Sequence, residues 1–350
     1  MKALVAIEPN NTKYVEVEKP KAEKDMVVVK VSKAGICATD YAIHTGECSF
    51  VRDGSIKYPV RFGHEWSGVI ESVGADVKKL KPGDHVVSDA GVTCGVCEAC
   101  QKGDLMSCSA IKSLGTVNTW DGCFAEYITI PERHLYRVPE KISLEDASLI
   151  EPTCIAYDAF TDVDMSKVRT VAVFGTGAIG MASAWLAKYF GAETVIMVGR
   201  TDKKLETAKQ IGVDVVINNK KEDAVETIKK LTGGIGVDFT IETSGSDKLL
   251  IDSFNATKSY GRVSLLSFYE KNVDNMPMDS VVLRCLTVRG AANYFGYPEK
   301  VIEIMENNPM KLTPIITHRI PFTKCLDAFE NEVAYHSDKI KIIIDFEEDK

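Results

Sequence analysis

The chain has 350 residues, of which 45% are hydrophobic and 26% are charged, and its net charge is −8. This composition is typical of a globular protein, and the length exceeds what one hydrophobic core usually supports, so we expect two domains. The acidic balance, without a long basic run, argues against nucleic acid or an anionic membrane as the main partner. The N-terminus has no signal-peptide or transit-peptide pattern, and no apolar run approaches the roughly 20 residues that span a bilayer, so we expect a cytoplasmic protein.

The first part of the chain has short strand-like runs bounded by glycine and proline, with metal-type side chains dispersed among them. Cys37 follows the run MVVVKVSKAG, His64 and Glu65 lie in RFGHEWSG, and Glu151 precedes a proline. Each is a weak signal alone, since a lone buried cysteine is usually just a small hydrophobic residue. Together they offer one thiolate, one imidazole and one or two carboxylates, which would leave a tetrahedral ion open to water or substrate.

Four cysteines stand close together in CGVCEACQKGDLMSC, at Cys94, Cys97, Cys100 and Cys108. Cys94 and Cys97 alone could form a thioredoxin-type redox pair, but the other two cysteines would then be unexplained. Four thiolates supply the complete tetrahedral shell of a structural zinc ion, and a cytosolic chain keeps its thiols reduced. Such a site is coordinatively full, so we expect it to hold a loop in place and the chemistry to lie elsewhere.

From about residue 156 onward, strand-like and helix-like segments alternate. Six strands with crossover helices predict an α/β fold with a doubly wound parallel sheet, the Rossmann unit, over residues 156–294. A glycine-rich turn after the first of these strands lets the backbone approach a pyrophosphate at a helix N-terminus, so we predict a nicotinamide dinucleotide cofactor. The predicted contacts are Gly175, Thr176, Gly177, Ala178, Ile179 and Gly180.

The end of the second Rossmann strand bears on the choice between NAD and NADP. NAD-specific folds place Asp or Glu there, about 20 residues beyond the glycines, to bind the ribose 2′-hydroxyl. Here the strand ends at Gly199 and Arg200. Gly199 would leave room for a phosphate that Arg200, with Lys203 or Lys204, could bind. In the alternative interpretation Arg200 stacks on the adenine and Asp202 caps the next helix, which suits either cofactor. We favour NADP because the acid is missing.

The stretch GHEWSGVIESVGADV resembles the zinc signature of the zinc-dependent medium-chain dehydrogenases and reductases at every specified position from Gly63 to Val77. KPGDHVV and DGCFAEY are similar to the next landmarks of that family, and the likeness covers essentially the whole chain. The pair Glu151-Pro152 and the four cysteines place the sequence near the sorbitol-type polyol dehydrogenases and threonine 3-dehydrogenase.

The resemblance implies a mostly β, GroES-like catalytic domain over residues 1–155, to which residues 295–350 return. It also implies a structural zinc ion at the four cysteines and a catalytic zinc ion in the cleft between the domains. The implied ligands of the catalytic ion are Cys37, His64 and either Glu65 or Glu151, and the other carboxylate stands behind it or exchanges in. Relatives pair through the last Rossmann strand, so we expect a homodimer or homotetramer.

In this family a hydroxyl two residues after the zinc cysteine passes the alcohol proton onward, which implies that role for Thr39. The alternative is a strand-end hydroxyl that caps its own backbone. The sequence departs from the family in two places. Ala42 stands where many relatives carry a relay histidine, and His44 comes two residues too late. Asn293 stands where sorbitol-type enzymes carry an arginine.

For the substrate we favour a neutral polyol, cyclitol or sugar, because the glutamate-type zinc shell is the one implied by polyol relatives. Arg52, Lys57 and Tyr58 lie in a long segment near the expected cleft, where they could bind hydroxyls or a sugar phosphate, or form a solvated loop. An amino-alcohol such as threonine is an alternative. A non-catalytic NAD(P)H-binding protein is the alternative of another class, although such relatives typically lack the zinc ligands.

Overall fold

The computed structural model describes residues 1–292, 295–330 and 336–347. The predicted departure at Asn293 therefore lies outside the described residues. Within the described ranges, no helix combines the length and the apolar character needed to cross a membrane.

Strands predominate in the first part of the chain, and strands alternate with helices in the second part. The strands are β1 (Lys2–Glu8), β2 (Asn11–Glu16), β3 (Met26–Ile36), β4 (Glu65–Val73), β5 (His85–Ser88), β6 (Gly91–Val92), β7 (Lys112–Ser113), β8 (Tyr127–Pro131), β9 (Leu135–Arg137), β10 (Thr170–Phe174), β11 (Thr194–Gly199), β12 (Val215–Asn218), β13 (Val237–Glu242), β14 (Thr257–Leu265), β15 (Thr287–Gly290), β16 (Ile316–Pro321) and β17 (Lys341–Asp345). The helices are α1 (Ala38–Thr45), α2 (Ser49–Arg52), α3 (Glu98–Gln101), α4 (Leu144–Ala147), α5 (Ile150–Asp158), α6 (Ala178–Tyr189), α7 (Asp202–Gln210), α8 (Ala224–Leu231), α9 (Asp247–Ala256), α10 (Met278–Leu283), α11 (Pro298–Asn307) and α12 (Asp327–Glu330).

A seven-stranded sheet has the order β16-β17-β3-β4-β5-β9, with β8 paired to β3 outside this path. Its long central strand β3 is rich in valine and buried along most of its length, as expected for β-branched residues in a sheet covered on both sides. β17 pairs antiparallel with β3, and β16 pairs parallel with β17. The end of the chain therefore completes the sheet that its beginning starts.

The second sheet has six parallel strands in the order β12-β11-β10-β13-β14-β15. This is the doubly wound order, so the predicted α/β fold with a Rossmann sheet is confirmed. The strand order reverses between β10 and β13, and ligands of such sheets bind at the carboxyl ends of the strands at that reversal. β15 lies at one edge of this sheet.

The helix α5 connects the two sheets. It packs against α6 on the Rossmann side and against β4 on the other side. Pro152 is tolerated because it falls in the first turn, where its missing N–H would have no intrahelical partner. The expected domain boundary at residue 155 falls inside this helix, and Glu151 sits in its first turn.

Candidate active site and metal centres

Cys37 lies where β3 ends and α1 begins. It is the N-cap of α1, and its backbone N–H donates to the Asp40 carboxylate at 2.8 Å. This carboxylate, three residues into the helix, satisfies a backbone donor and sets the direction in which the chain leaves the sheet. Thr39 lies in the first turn, with 3.7 Å between its Oγ1 and Cys37 Sγ. The thiol and the hydroxyl therefore face the same space.

The register of β3 and β4 brings the second and third predicted ligands beside Cys37. Glu65 is the first residue of β4 and stands opposite Gly35. A Cβ atom on Gly35 would lie 2.2 Å from Glu65 Oε2, so glycine is required there for the carboxylate to fit. The ligand atoms of Cys37, His64 and Glu65 all lie within 4.8 Å of one another.

The imidazole of His64 is buried beside Asp40, with 3.7 Å between Nδ1 and Oδ1. Among the described residues, neither of these two atoms has a hydrogen-bond partner. Burial acts to lower the pKa of His64, but Asp40 and Cys37 outweigh it and raise that pKa well above its ordinary value. Burial raises the pKa of Asp40 to about 6, although His64 acts in the opposite direction. A half-buried thiol, a buried imidazole and a buried carboxylate within 4.8 Å of one another form a donor set that fits a zinc ion.

The two glutamates differ in their surroundings. Both carboxylate oxygens of Glu65 accept hydrogen bonds from Lys341 Nζ, at 2.7 Å for Oε1. Lys341 Nζ also donates to the Ile36 carbonyl at 3.1 Å. Glu151 is buried in the same region but is not a member of the close group of three. Burial raises the pKa of Glu151 to about 7, with His64 opposing and Glu65 adding to the shift. Both carboxylates predicted from the sequence are thus buried, and the charge of Glu65 acts on Glu151.

The four cysteines form a separate lobe. Their sulfur atoms lie within 4.8 Å of one another, with 3.4 Å between Cys97 and Cys100, 3.7 Å between Cys94 and Cys108, and 3.9 Å between Cys94 and Cys100. Sulfur atoms of a tetrahedral zinc site are about 3.8 Å apart, because each Zn–S bond is about 2.3 Å. Backbone N–H groups of Val96 and Cys97 lower the pKa of Cys94 to about 6, which favours the thiolate. The geometry fits a closed tetrahedral metal site.

The glycine turn lies between β10 and α6, at the reversal of strand order. Gly175 has a φ of +119°, and a Cβ atom there would lie 2.5 Å from Thr243 Oγ1. A Cβ atom on Gly180 would lie 2.2 Å from the Gly175 carbonyl oxygen, so this glycine lets the helix pack close to the turn. Gly177 is the N-cap of α6 and faces open space. These are the roles that the three glycines of a dinucleotide-binding turn fill.

Two expectations about the end of β11 need correction. The space beside Gly199 is taken by Thr176, whose Cγ2 would lie 2.3 Å from a Cβ atom there, so it is not free for a phosphate. Asp202 does not cap α7, because the N-cap is Thr201. Its carboxylate instead accepts from Asn218 Nδ2 and from the side chain of Lys221, each at 2.7 Å. Arg200 is exposed beside this turn.

The residues expected near the substrate cleft are largely engaged with the protein. Arg52 donates to Glu270 at 2.8 Å and to the Glu47 carbonyl at 2.8 Å, and the Tyr58 hydroxyl donates to a backbone carbonyl of α1. Lys57 is exposed. His44 is buried, with its Nδ1 2.8 Å from Thr12 Oγ1, and so does not replace the missing relay histidine.

Sequence reasoning missed Asp40 and Lys341. A charged residue within the otherwise apolar run KIIID is the signal that could have identified Lys341, because lysine is almost never fully buried without a partner.

Comparison with known proteins agrees with this geometry. Residues 23–140 match the family described as alcohol dehydrogenase GroES-like domain, and residues 178–307 match the family described as zinc-binding dehydrogenase. The sorbitol dehydrogenase of Bacillus subtilis (strain 168) is 29% identical over 347 residues, which cover 98% of this chain and 97% of that protein. The L-threonine 3-dehydrogenase of Pyrococcus horikoshii is 34% identical over 334 residues, or 94% of each chain. A zinc-binding dehydrogenase from Sinorhizobium meliloti 1021, solved bound to NADP, superposes with a TM-score of 0.89 at 26% identity and 98% coverage of both chains.

The chain therefore belongs to the zinc-dependent medium-chain alcohol dehydrogenase family. It is an NAD(P)-dependent dehydrogenase of the alcohol, polyol and threonine dehydrogenase group, with a GroES-like domain and a Rossmann domain.

Proposed function

We propose that this enzyme oxidises a secondary alcohol of a polyol, cyclitol or sugar, or reduces the corresponding ketone, with NADP as the preferred cofactor. The observation that carries the proposal is the group of half-buried Cys37 with buried His64 and Glu65, whose ligand atoms lie within 4.8 Å of one another. A thiolate, an imidazole and a carboxylate with an open fourth position are typical of catalytic rather than structural zinc.

The residues of the site have distinct roles in this proposal. Cys37, His64 and Glu65 would hold a zinc ion, which would supply Lewis-acid polarisation of the alcohol oxygen, and the glycine turn would hold a nicotinamide dinucleotide, which would supply the hydride acceptor. Thr39 holds its hydroxyl 3.7 Å from the Cys37 sulfur, where it can accept the alcohol proton. Asp40 orients the ring of His64 from behind, as carboxylates beside metal-binding histidines do. Lys341 holds the Glu65 carboxylate in place.

We propose that Glu65 is the direct third ligand of the catalytic zinc ion, because it belongs to the close group. Glu151 would lie behind Glu65 without binding the ion, or would replace it as a ligand during turnover. The four-cysteine lobe would hold a second, structural zinc ion, since its sulfur spacing matches a closed tetrahedral site. The preference for NADP follows from the missing acid at Gly199 and from the cations Arg200 and Lys204 that follow it.

The preference for a polyol over threonine rests on the glutamate in the group of Cys37, His64 and Glu65, since a glutamate-type zinc shell is the one implied by polyol relatives. Arg52 is paired with Glu270, so we do not assign it a substrate carboxylate or phosphate. We also propose the domain division 1–155, 156–294 and 295–350, supported by the two sheets, and a cytoplasmic location.

We propose a homodimer or homotetramer, which would cover the edge strand β15. Side chains near that edge are unusually exposed for apolar residues, including Tyr260 at 82%, Val282 at 74% and Leu283 at 82%. Light scattering tests the oligomeric state.

The test of function is a panel of polyols, inositols, sugar phosphates and threonine, assayed with NAD and with NADP. We expect the highest catalytic efficiency with an uncharged polyol or cyclitol and NADP. A highest efficiency with threonine would favour the amino-alcohol alternative. Tight NADPH binding without turnover of any alcohol, in zinc-replete protein, would favour the non-catalytic class.

A further inference from the structure

A group of charges outside both candidate zinc sites lies at the start of α7. Asp338, in the connection that leads into β17, accepts from Lys203 through one carboxylate oxygen and contacts the His336 ring through the other. The Asp338 side chain is 11% exposed and that of Lys203 is 73% exposed, so the carboxylate is the buried member of the pair. The His318 ring lies 5.7 Å from the His336 ring. Because Lys203 already supplies Asp338 with a cationic partner, we interpret the group as an ion-pair cluster and not as a third metal site.

This cluster stands next to the cations expected at the cofactor. The carboxyl end of β11 is where a dinucleotide places its adenosine ribose. Three cations follow it in the sequence: Arg200 directly after the strand, and Lys203 and Lys204 in the first turn of α7. Burial and the charge of Arg200 lower the pKa of Lys204, whereas Asp338 acts to raise it. Asp338 is therefore close enough to Lys204 for the two charges to act on each other.

We infer that Asp338 is a specificity-determining residue that limits the affinity of the enzyme for NADP relative to NAD. This inference rests on the proposed cofactor site. The second Rossmann strand lacks the acid that usually repels a 2′-phosphate. The β16–β17 connection, far away in the sequence, supplies a carboxylate to the same neighbourhood.

Two physical effects of Asp338 have the same sign. Its negative charge repels a 2′-phosphate, which carries up to two negative charges, and it holds the ammonium group of Lys203 away from that phosphate. Neutralising Asp338 would remove the repulsion and free Lys203. The ribose 2′-hydroxyl of NAD carries no charge, so NAD binding would change little.

The experiment measures the Kd of NADPH and of NADH from nicotinamide fluorescence in the full-length, zinc-loaded enzyme. Asp338→Asn should increase the ratio of NADPH affinity to NADH affinity about threefold or more, as expected for one unit charge at a partly solvated site. Lys203→Gln should shift the ratio in the opposite direction, because Asp338 would lose its neutralising partner. Loss of the Lys203 cation would lower the ratio even without Asp338, so the Asp338 variants decide the sign. If Asp338→Asn does not fold, Asp338→Ser removes the same charge with a smaller side chain and should raise the ratio in the same way.

Glu193→Gln is the matched control. Glu193 pairs with Arg169 at 2.8 Å in front of β10 and β11, at the amino ends of the same strands. This variant removes an acid from the same sheet without touching the adenosine end, so its affinity ratio should stay at the wild-type value. An unchanged or lower ratio in Asp338→Asn, or a higher one in Lys203→Gln, would overturn the inference. A wild-type enzyme that prefers NADH would refute the proposed NADP preference, but the shifts between variants would still test Asp338.

Discussion

Lys341 and Glu65 form an ion pair inside the protein, with side chains only 3% and 2% exposed. The pair joins β17 to β4 across β3, and it holds the carboxylate of a predicted zinc ligand. A buried pair is costly to form, but removal of one partner costs more, because the other charge is left without compensation.

Lys341→Met should therefore destabilise the protein strongly, by about 3–5 kcal/mol in denaturant unfolding. Lys33→Met is the matched control, since Lys33 in β3 pairs with Asp345 of the same strand β17, but both side chains of this pair are 12% exposed. We expect a clearly smaller loss for the control. Equal losses of unfolding free energy would show that the deeper burial of the Lys341 pair does not make its loss more costly.

Glu65→Gln and Glu151→Gln test the assignment of the third ligand. Because Glu65 belongs to the close group with Cys37 and His64, its variant should bind the exchangeable zinc ion more weakly than the Glu151 variant does. The measurement is zinc retention during stepwise chelation, followed by kcat, in samples that circular dichroism shows to be folded, because Glu65→Gln also leaves Lys341 without its buried partner. A larger loss of zinc in Glu151→Gln would show that Glu151 is the direct ligand and that Glu65 is the carboxylate behind it.

His64→Ala and Cys97→Ser separate the two metal sites. The first should abolish turnover with a smaller loss of melting temperature than the second, because an open site contributes less to folding, although it leaves the buried Asp40 carboxylate without its neighbour. The second should destabilise the protein, because a closed zinc site contributes folding free energy outright. Cys285→Ser, at an exposed cysteine far from the lobe in sequence, controls for the loss of a thiol. A stable but inactive Cys97→Ser protein would contradict a structural role for the lobe.

Much of the site can be predicted from the sequence where its residues belong to short patterns. The glycine turn, the four cysteines and the pair His64-Glu65 are encoded by spacings of a few residues. Partners that lie far apart in the sequence and meet only in the folded chain cannot be predicted in this way. Lys341 reaches Glu65 across 276 positions, and Asp338 reaches Lys203 across 135. The packing of Thr176 on Gly199 escapes prediction for the same reason, since it depends on how two turns approach each other.

The contact of Thr176 with Gly199 yields a prediction for cofactor choice. Gly199→Asp alone should be poorly tolerated, because its Cβ would lie 2.3 Å from Thr176 Cγ2. The double variant with Thr176→Ala removes that methyl group and should accept the acid. We expect its ratio of kcat/KM for NAD over NADP to rise about tenfold, which corresponds to about 1.4 kcal/mol. If Gly199→Asp alone raised the ratio as much as the double variant, Thr176 would not restrict the side chain at position 199.

The zinc content of protein purified without chelator is the decisive measurement for the proposed pair of metal sites, followed through dialysis against a chelator with activity measured in parallel. We expect two zinc ions per chain, of which one leaves together with all activity while the other stays with the folded protein. Readdition of zinc should restore activity. A zinc content near zero in active protein, or full activity after one ion has been removed, would contradict a catalytic zinc ion at Cys37, His64 and Glu65.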